Sequence, residues 1–186
     1  MKIFLVRHAH VGYETELGTK YKTPVYGEHL SPLGWGQSLE LDYLLAKTEV
    51  QFDALYSSDY CRAVETITPI SLRNKQKITE FSELREVEVS LGAESFSEAS
   101  TRIKGILIKL SQNHDSNSTI LVATHGILME SFFQKTFGEL KNRVLWLDVY
   151  SLDLIGDVFS NLHRELHLIP ENQSDHSKLN YYPKLS

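Results

Sequence analysis

Two short stretches put chemistry-bearing side chains where buried strands would end. Lys2-Ile3-Phe4-Leu5-Val6 is an apolar, β-rich run, and Arg7-His8-Ala9 follows it directly. Thr119-Ile120-Leu121-Val122-Ala123 is a second such run, and it leads into Thr124-His125-Gly126. In an open α/β sheet, ligands bind in the crevice outside the carboxyl ends of the strands. Two imidazoles at one rim, one beside a guanidinium, point to a site that holds an anion and makes or breaks a bond to it.

The elements needed to carry those residues are legible. Lys2 to Arg7 reads as the first strand. Ser31-Pro32-Leu33-Gly34 opens a helix, with serine at the N-cap and proline at the first helical position, and Leu39, Leu41, Tyr43, Leu44 and Leu45 carry it to about Lys47. Phe52 to Ser57 is a second strand. A helix follows it, capped by Ser58 or Asp59, with Ala63, Val64, Ile67 and Ile70 as its apolar stripe. Ile78 marks a short third strand, and Phe81 to Gly92 is irregular. Ser95 to Leu110 keeps helical spacing, Thr119 to Thr124 is a strand, and Ile127 to Phe137 is a helix closed by Gly138. Val144 to Leu154 and Val158 to Leu168 are two β-rich runs around a turn at Ile155-Gly156-Asp157. This alternation predicts a three-layer α/β/α sandwich with a mostly parallel sheet, in which one of the last two runs supplies an antiparallel strand near an edge.

Val11 to Leu30 has no period and reads as a long loop, which in a compact domain is usually functional. One domain is expected over residues 1–170, followed by a polar C-terminal tail over 171–186. The 186 residues suit a single sizeable core, with 41% hydrophobic and 23% charged side chains. A net charge of −5 gives no global attraction to nucleic acid or acidic membranes, so neither is expected as a partner. Cys61 is the only cysteine, so no disulfide forms within the chain. The opening apolar stretch is too short for a signal segment or a membrane span, and the cytoplasm is the expected location.

Four blocks in order resemble the histidine phosphatase superfamily, in its phosphoglycerate-mutase-like branch. Leu5-Val6-Arg7-His8-Ala9 is similar to the family's Arg-His-Gly signature, and Leu30-Ser31-Pro32-Leu33-Gly34 to its Leu-Thr-x-x-Gly helix start. Tyr56-Ser57-Ser58-Asp59 with Arg62-Ala63-Val64-Glu65-Thr66 resembles its Ser-Ser-x-x-x-Arg-Ala-x-x-Thr block. Val122-Ala123-Thr124-His125-Gly126 resembles its closing Ser/Thr-His-Gly. The resemblance implies a phosphatase acting through a phosphohistidine, with no metal or other cofactor. His8 is then the nucleophile, and Arg7, Arg62 and a protonated His125 surround the phosphoryl oxygens. Arginine suits this role because its planar fork binds two oxygens at once. The Leu-Arg-Glu step in Ser82-Glu83-Leu84-Arg85-Glu86-Val87-Glu88 puts the general acid at Glu86, with Glu83 and Glu88 as rivals.

The chain also departs from that pattern. Ala9-His10-Val11 stands where the family has Gly-Glu-Thr, and Tyr13 or Glu14 where an asparagine often sits near the phosphate. His10, Glu14 and Gly126 join Arg7, Arg62 and His125 as expected substrate-binding residues. The usual cover between the acid and the second histidine is almost absent. A small lid favours a hydrolase over a mutase, which must shield its intermediate from water. It also leaves room for a bulky substrate, either a phosphorylated small molecule or a phosphoprotein. Other readings are mutase-like phosphoryl transfer, a phosphate-binding module without turnover, and a metal-dependent hydrolase built on the His8-Ala9-His10 step, whose two imidazoles share a face of an extended segment.

Overall fold

The computed structural model describes residues 1–11, 29–87, 94–138 and 143–167. Among them six strands form one sheet: β1 (Lys2–Arg7), β2 (Ala54–Ser58), β3 (Ile78–Phe81), β4 (Thr119–Thr124), β5 (Val149–Ile155) and β6 (Val158–Leu166). Their order is β3-β2-β4-β1-β5-β6. β3, β2, β4 and β1 are parallel, whereas β5 runs antiparallel to β1 and β6 antiparallel to β5. The antiparallel edge follows from the sequence. Gly156, at φ +59°, closes a tight β5–β6 hairpin, while the parallel strands are joined through helices.

Among the described residues four helices cover the sheet: α1 (Pro32–Lys47), α2 (Cys61–Asn74), α3 (Phe96–Ser111) and α4 (Gly126–Phe137). The inner strands are apolar on both faces, and successive residues serve opposite sides. Ile3, Leu5, Ile120 and Val122 pack with Ile103, Leu107 and Leu110 of α3 and with Leu128, Met129, Phe132 and Phe133 of α4. Phe4, Val6, Leu121 and Ala123 pack with Leu41 and Leu45 of α1 and with Ala63, Ile67 and Ile70 of α2. The result is the expected three-layer α/β/α sandwich. Truncating a wholly buried member such as Phe132 would cost about 3–5 kcal/mol.

Local signals set the helix ends. Ser31 caps α1 by accepting the Gly34 N–H, and Ser95 and Glu98 form a reciprocal capping box on α3. Gly138, at φ +92°, stops α4. Three details differ from the sequence reading. Leu39 and Tyr43 lie on the exposed side of α1. Helix α2 begins after Tyr60, with no side-chain cap, because Ser58 and Asp59 have other partners. Val144 to Asp148 is not strand: it is buried as a turn around Arg7, and Leu147 sits there at φ +59°.

Of the loop over Val11 to Leu30, only its ends are described, and an antiparallel bridge pairs Val11 with Leu30. The tail over 171–186 lies outside the described residues. Among the described residues no helix is long and apolar enough to cross a membrane.

Candidate active site

Parallel strands share one carboxyl edge, and the register aligns it: Arg7 stands opposite Thr124, and Ser58 opposite Phe81. His8 leaves β1, Ser58 ends β2 and His125 leaves β4 at that edge. Glu86 arrives from β3 through the 3₁₀ turn Ser82–Leu84, which is pinned to β4 by the Thr124 hydroxyl donating to the Leu84 carbonyl at 2.8 Å. Arg62 enters from the first turn of α2.

The two histidines meet. Their ring centroids are 5.1 Å apart at 61°, and both rings are buried. His8 Nδ1 lies 2.8 Å from the Ala9 carbonyl oxygen. A carbonyl only accepts, so Nδ1 carries the proton and the lone pair of the neutral ring is on Nε2. Burial holds the His8 pKa well below the ordinary 6.5, and Arg62 and Arg7 lower it further. His125 is depressed in the same way, by burial and then by Arg62, His8 and Arg7. The expected protonated His125 is thus a neutral imidazole here, since its surroundings already hold two guanidinium charges. Its Nε2 is 2.9 Å from Ser58 Oγ.

Both arginines lie against aromatic rings, and Arg7 is held by backbone as well. Arg7 Nη1 donates to the Val144 carbonyl at 2.7 Å, and its guanidinium lies 5.7 Å from the Trp146 ring centre. The backbone of Arg7 is clamped as well, its N–H donating to the Asp148 carbonyl and its carbonyl accepting from Leu147 N–H. Arg62 is 1% exposed and lies 4.6 Å from the Tyr60 ring centre. Burying a guanidinium is costly in a protein core and is expected where an anion is to be bound. At this rim the buried nitrogens Arg7 Nε and His125 Nδ1 have no hydrogen-bond partner among the described residues.

Glu86 is the inward-turned carboxyl of its loop. Its oxygens accept from the backbone N–H groups of Val87 (2.9 Å), Leu128 (3.0 Å) and Ile127 (3.4 Å), the last two at the N-terminus of α4. Burial raises its pKa above the ordinary 4.5, against the lowering pull of the Val87 bond, Arg7 and Arg62. Glu83, by contrast, is half-buried and pairs with the Ser82 hydroxyl on the turn. Glu88 and Glu14 lie outside the described residues.

Gly126 and His10 also reach the site. A Cβ at residue 126 would crowd the Arg7 guanidinium at 3.0 Å. His10 stacks edge-on against Trp146 with centroids 4.5 Å apart, and its Nδ1 lies 2.7 Å from Ser31 Oγ. Gly34 makes room for this loop, for a Cβ there would lie 2.0 Å from the His10 carbonyl oxygen. His8 and His10 therefore have different neighbours. Among the described residues no three His, Cys, Asp or Glu side chains gather as a metal-ligating group.

Sequence reasoning assigned no role to four side chains here. Thr66 accepts from the Ala9 N–H at 2.9 Å and donates to the Arg62 carbonyl at 2.7 Å, tying the loop after His8 to the helix that carries Arg62. Ser58, a helix cap in the sequence reading, contacts His125 instead, and like Thr66 it stands inside a block already quoted. Trp146 was hidden in a run that reads as strand. Glu130, half-buried on α4 with its pKa raised by burial, accepts from the Val144 N–H at 3.0 Å, and no local pattern singles it out.

A family model described as the histidine phosphatase superfamily (branch 1) matches residues 3–91. The fold is shared with a mycobacterial glucosyl-3-phosphoglycerate phosphatase in complex with VO3 (16% identity, 88% of this chain and 97% of that one, TM-score 0.69). It is shared with the protein histidine phosphatase SixA complexed with tungstate (15% identity, 88% and 94%, TM-score 0.66). A mutant phosphoserine phosphatase from Entamoeba histolytica in complex with phosphoserine is similar too (17% identity, 90% and 99%, TM-score 0.67). No curated protein matches the chain significantly in sequence.

Proposed function

Residues 3–91 belong to the histidine phosphatase superfamily, branch 1, and on that footing we propose that the chain is a phosphatase that hydrolyses a phosphomonoester, or a phosphorylated protein side chain, through a phosphohistidine on His8 without a metal. One observation carries this reading. A neutral His8 with its lone pair on Nε2 shares a buried rim with two arginines, and two nitrogens at that rim, Arg7 Nε and His125 Nδ1, have no hydrogen-bond partner among the described residues. A phosphoryl group supplies acceptors for such donors and an electrophile for that nitrogen.

The steps follow from the atoms. His8 Nε2 attacks phosphorus as the bond to the leaving oxygen breaks. Arg7, Arg62 and His125 hold the phosphoryl oxygens, and positive charge arising on the His8 ring is relieved by the Nδ1–H bond to the Ala9 carbonyl. Glu86, whose pKa burial raises above the ordinary 4.5, gives its proton to the leaving oxygen. Water then attacks the phosphohistidine and yields a proton to the Glu86 carboxylate. The P–N bond breaks, and phosphate leaves with His8 neutral again. The two guanidiniums neutralise the phosphoryl group as a metal would.

The chain runs from Glu86 to α3 through only a few residues, which favours hydrolysis over retention of an intermediate. The names of the structural relatives cover glucosyl-3-phosphoglycerate, phosphoserine and protein histidine phosphatases, so both substrate classes belong in the screen. The decisive experiment is phosphoenzyme trapping. Labelled substrate, quenched in base, is expected to leave acid-labile label on the protein, undiminished by chelator and absent in His8→Ala. Label in His8→Ala, or activity abolished by chelator, overturns the mechanism.

A further inference from the structure

We propose that Ser58 is a positioning residue whose hydroxyl donates to His125 Nε2, keeping the ring proton on Nδ1 as the donor to a phosphoryl oxygen. What Nδ1 meets rests on the phosphatase reading above, whereas the hydrogen-bond direction does not.

The direction follows from counting donors and acceptors. Ser58 ends β2, is buried, and has its Oγ 2.9 Å from His125 Nε2. Oγ also takes the Tyr60 N–H at 3.3 Å, so one of its lone pairs is used. The hydroxyl proton needs an acceptor, and the Nε2 lone pair is one. With that choice, Nδ1–H is the single polar group of the pair left without a partner among the described residues. The reverse choice puts the proton on Nε2. It leaves the buried hydroxyl proton with no acceptor among the described residues and turns a lone pair, not a donor, toward any ligand at Nδ1. Stranded polar groups are rare in protein interiors because burying them is costly.

The rest of the site agrees. Two guanidiniums and burial keep His125 neutral, so what Nδ1 offers a ligand depends on the tautomer and not on charge. A lone pair on Nδ1 would repel a phosphoryl oxygen, while an N–H attracts it. The ring plane is fixed on two sides, by Tyr60 (centroids 5.3 Å, 71°) and by His8 (5.1 Å, 61°), so the tautomer decides where the donor points. The arrangement also accounts for an oddity of α2. Ser58 looks like its cap in the sequence, yet the helix starts at Cys61 behind Tyr60 with no side-chain cap.

The test reads the tautomer directly. Protein labelled with ¹⁵N-histidine is studied by long-range ¹H–¹⁵N correlation above the pH at which free histidine titrates, and His125 is assigned by its loss in His125→Asn. The wild type is expected to show a protonated Nδ1 and a bare Nε2. In Ser58→Ala this preference is expected to be lost and kcat to fall about 10- to 100-fold, the usual cost of removing such a supporting partner. Ser58→Thr keeps the hydroxyl and should restore both. A protonated Nε2 in the wild type overturns the proposal even if Ser58→Ala does not fold, and so does an unchanged tautomer in a folded Ser58→Ala. If the tautomer is as expected but no phosphomonoester is turned over, the phosphatase reading falls and the Ser58 assignment stands.

Discussion

The guanidinium of Arg7 fills the space that a side chain on residue 126 would occupy: a Cβ there meets Arg7 Cζ, Nε and Nη1, each at 3.0 Å. Arg7 cannot retreat freely, because Nη1 is bonded to the Val144 carbonyl and Trp146 lies beside it. The glycine after the second histidine therefore shapes the arginine before the first.

Gly126→Ala is expected to fold, since residue 126 is an ordinary first-turn helical position in α4. It should displace the guanidinium by a few tenths of an ångström and weaken its bonds to a phosphoryl group. Loss of one charge-assisted hydrogen bond is worth about 1.5–3 kcal/mol, so kcat/KM should drop about 10- to 100-fold. Inhibition by inorganic phosphate should weaken in parallel. A variant with unaltered kcat/KM and phosphate inhibition would show that Arg7 does not hold the substrate.

The buried histidines also set an acid limit on stability. Both are depressed below 6.5 in the folded protein, first by burial and then by Arg62 and its neighbours. In the unfolded chain they titrate near 6.5. Below that value and above the folded pKa, the unfolded state binds more protons, so stability falls as pH falls. Thermal unfolding should show Tm declining from about pH 7 downward, with a shallower decline in His125→Asn and in His8→Asn. Equal slopes in all three proteins would mean that other groups govern the acid limit.

Much of this was legible in the sequence because strands carry their functional residues at their ends. The runs Lys2 to Arg7 and Thr119 to Thr124 are apolar on both faces, as inner parallel strands must be, and they are neighbours in register. Parallel neighbours in register bring their final residues to one rim, which the sequence alone implies. What escaped depends on long-range contacts. Val144 and Leu147 are apolar and buried in the two core clusters, which reads as strand, yet their backbone forms a turn bonded to Arg7. Ser58 is a sound helix cap by local rules, but a histidine 67 residues away takes its hydroxyl. Glu86 could be ranked only by motif, because it is the α4 backbone, distant in sequence, that turns it inward.

Catalysis should follow a bell-shaped pH profile with unusual limbs. His8 must be unprotonated to attack, and its pKa is lowered by burial, Arg62 and Arg7, so the rising limb should lie below 6.5. Glu86 must be protonated to donate, and burial raises its pKa, so the falling limb should lie above 4.5. In kcat/KM these limbs report the free enzyme. Replacing Arg62 with Lys leaves the charge near His8 but removes the two-oxygen fork, so it should lower kcat/KM while leaving the rising limb roughly in place. A rising limb above 6.5 would contradict the burial of a neutral nucleophile.

The last prediction concerns the proton for the leaving group. Glu86→Gln removes it while keeping an oxygen that can accept from Leu128. Substrates with poor leaving groups, such as alkyl phosphates, should slow by on the order of a hundredfold or more, the usual contribution of a positioned acid. An activated aryl phosphate, whose leaving oxygen needs no proton, should react almost as in the wild type up to the phosphoenzyme. Its breakdown needs Glu86 as the base for water, so label on His8 should accumulate in the variant and a burst of aryl alcohol should precede a slow steady state. Glu83→Gln and Glu88→Gln are the controls, and Glu83 sits on the turn pinned through Leu84, bonded to the Ser82 hydroxyl. If either control shows the leaving-group dependence and Glu86→Gln does not, the buried carboxyl is a helix-end acceptor for α4, and the nucleophile assignment is untouched.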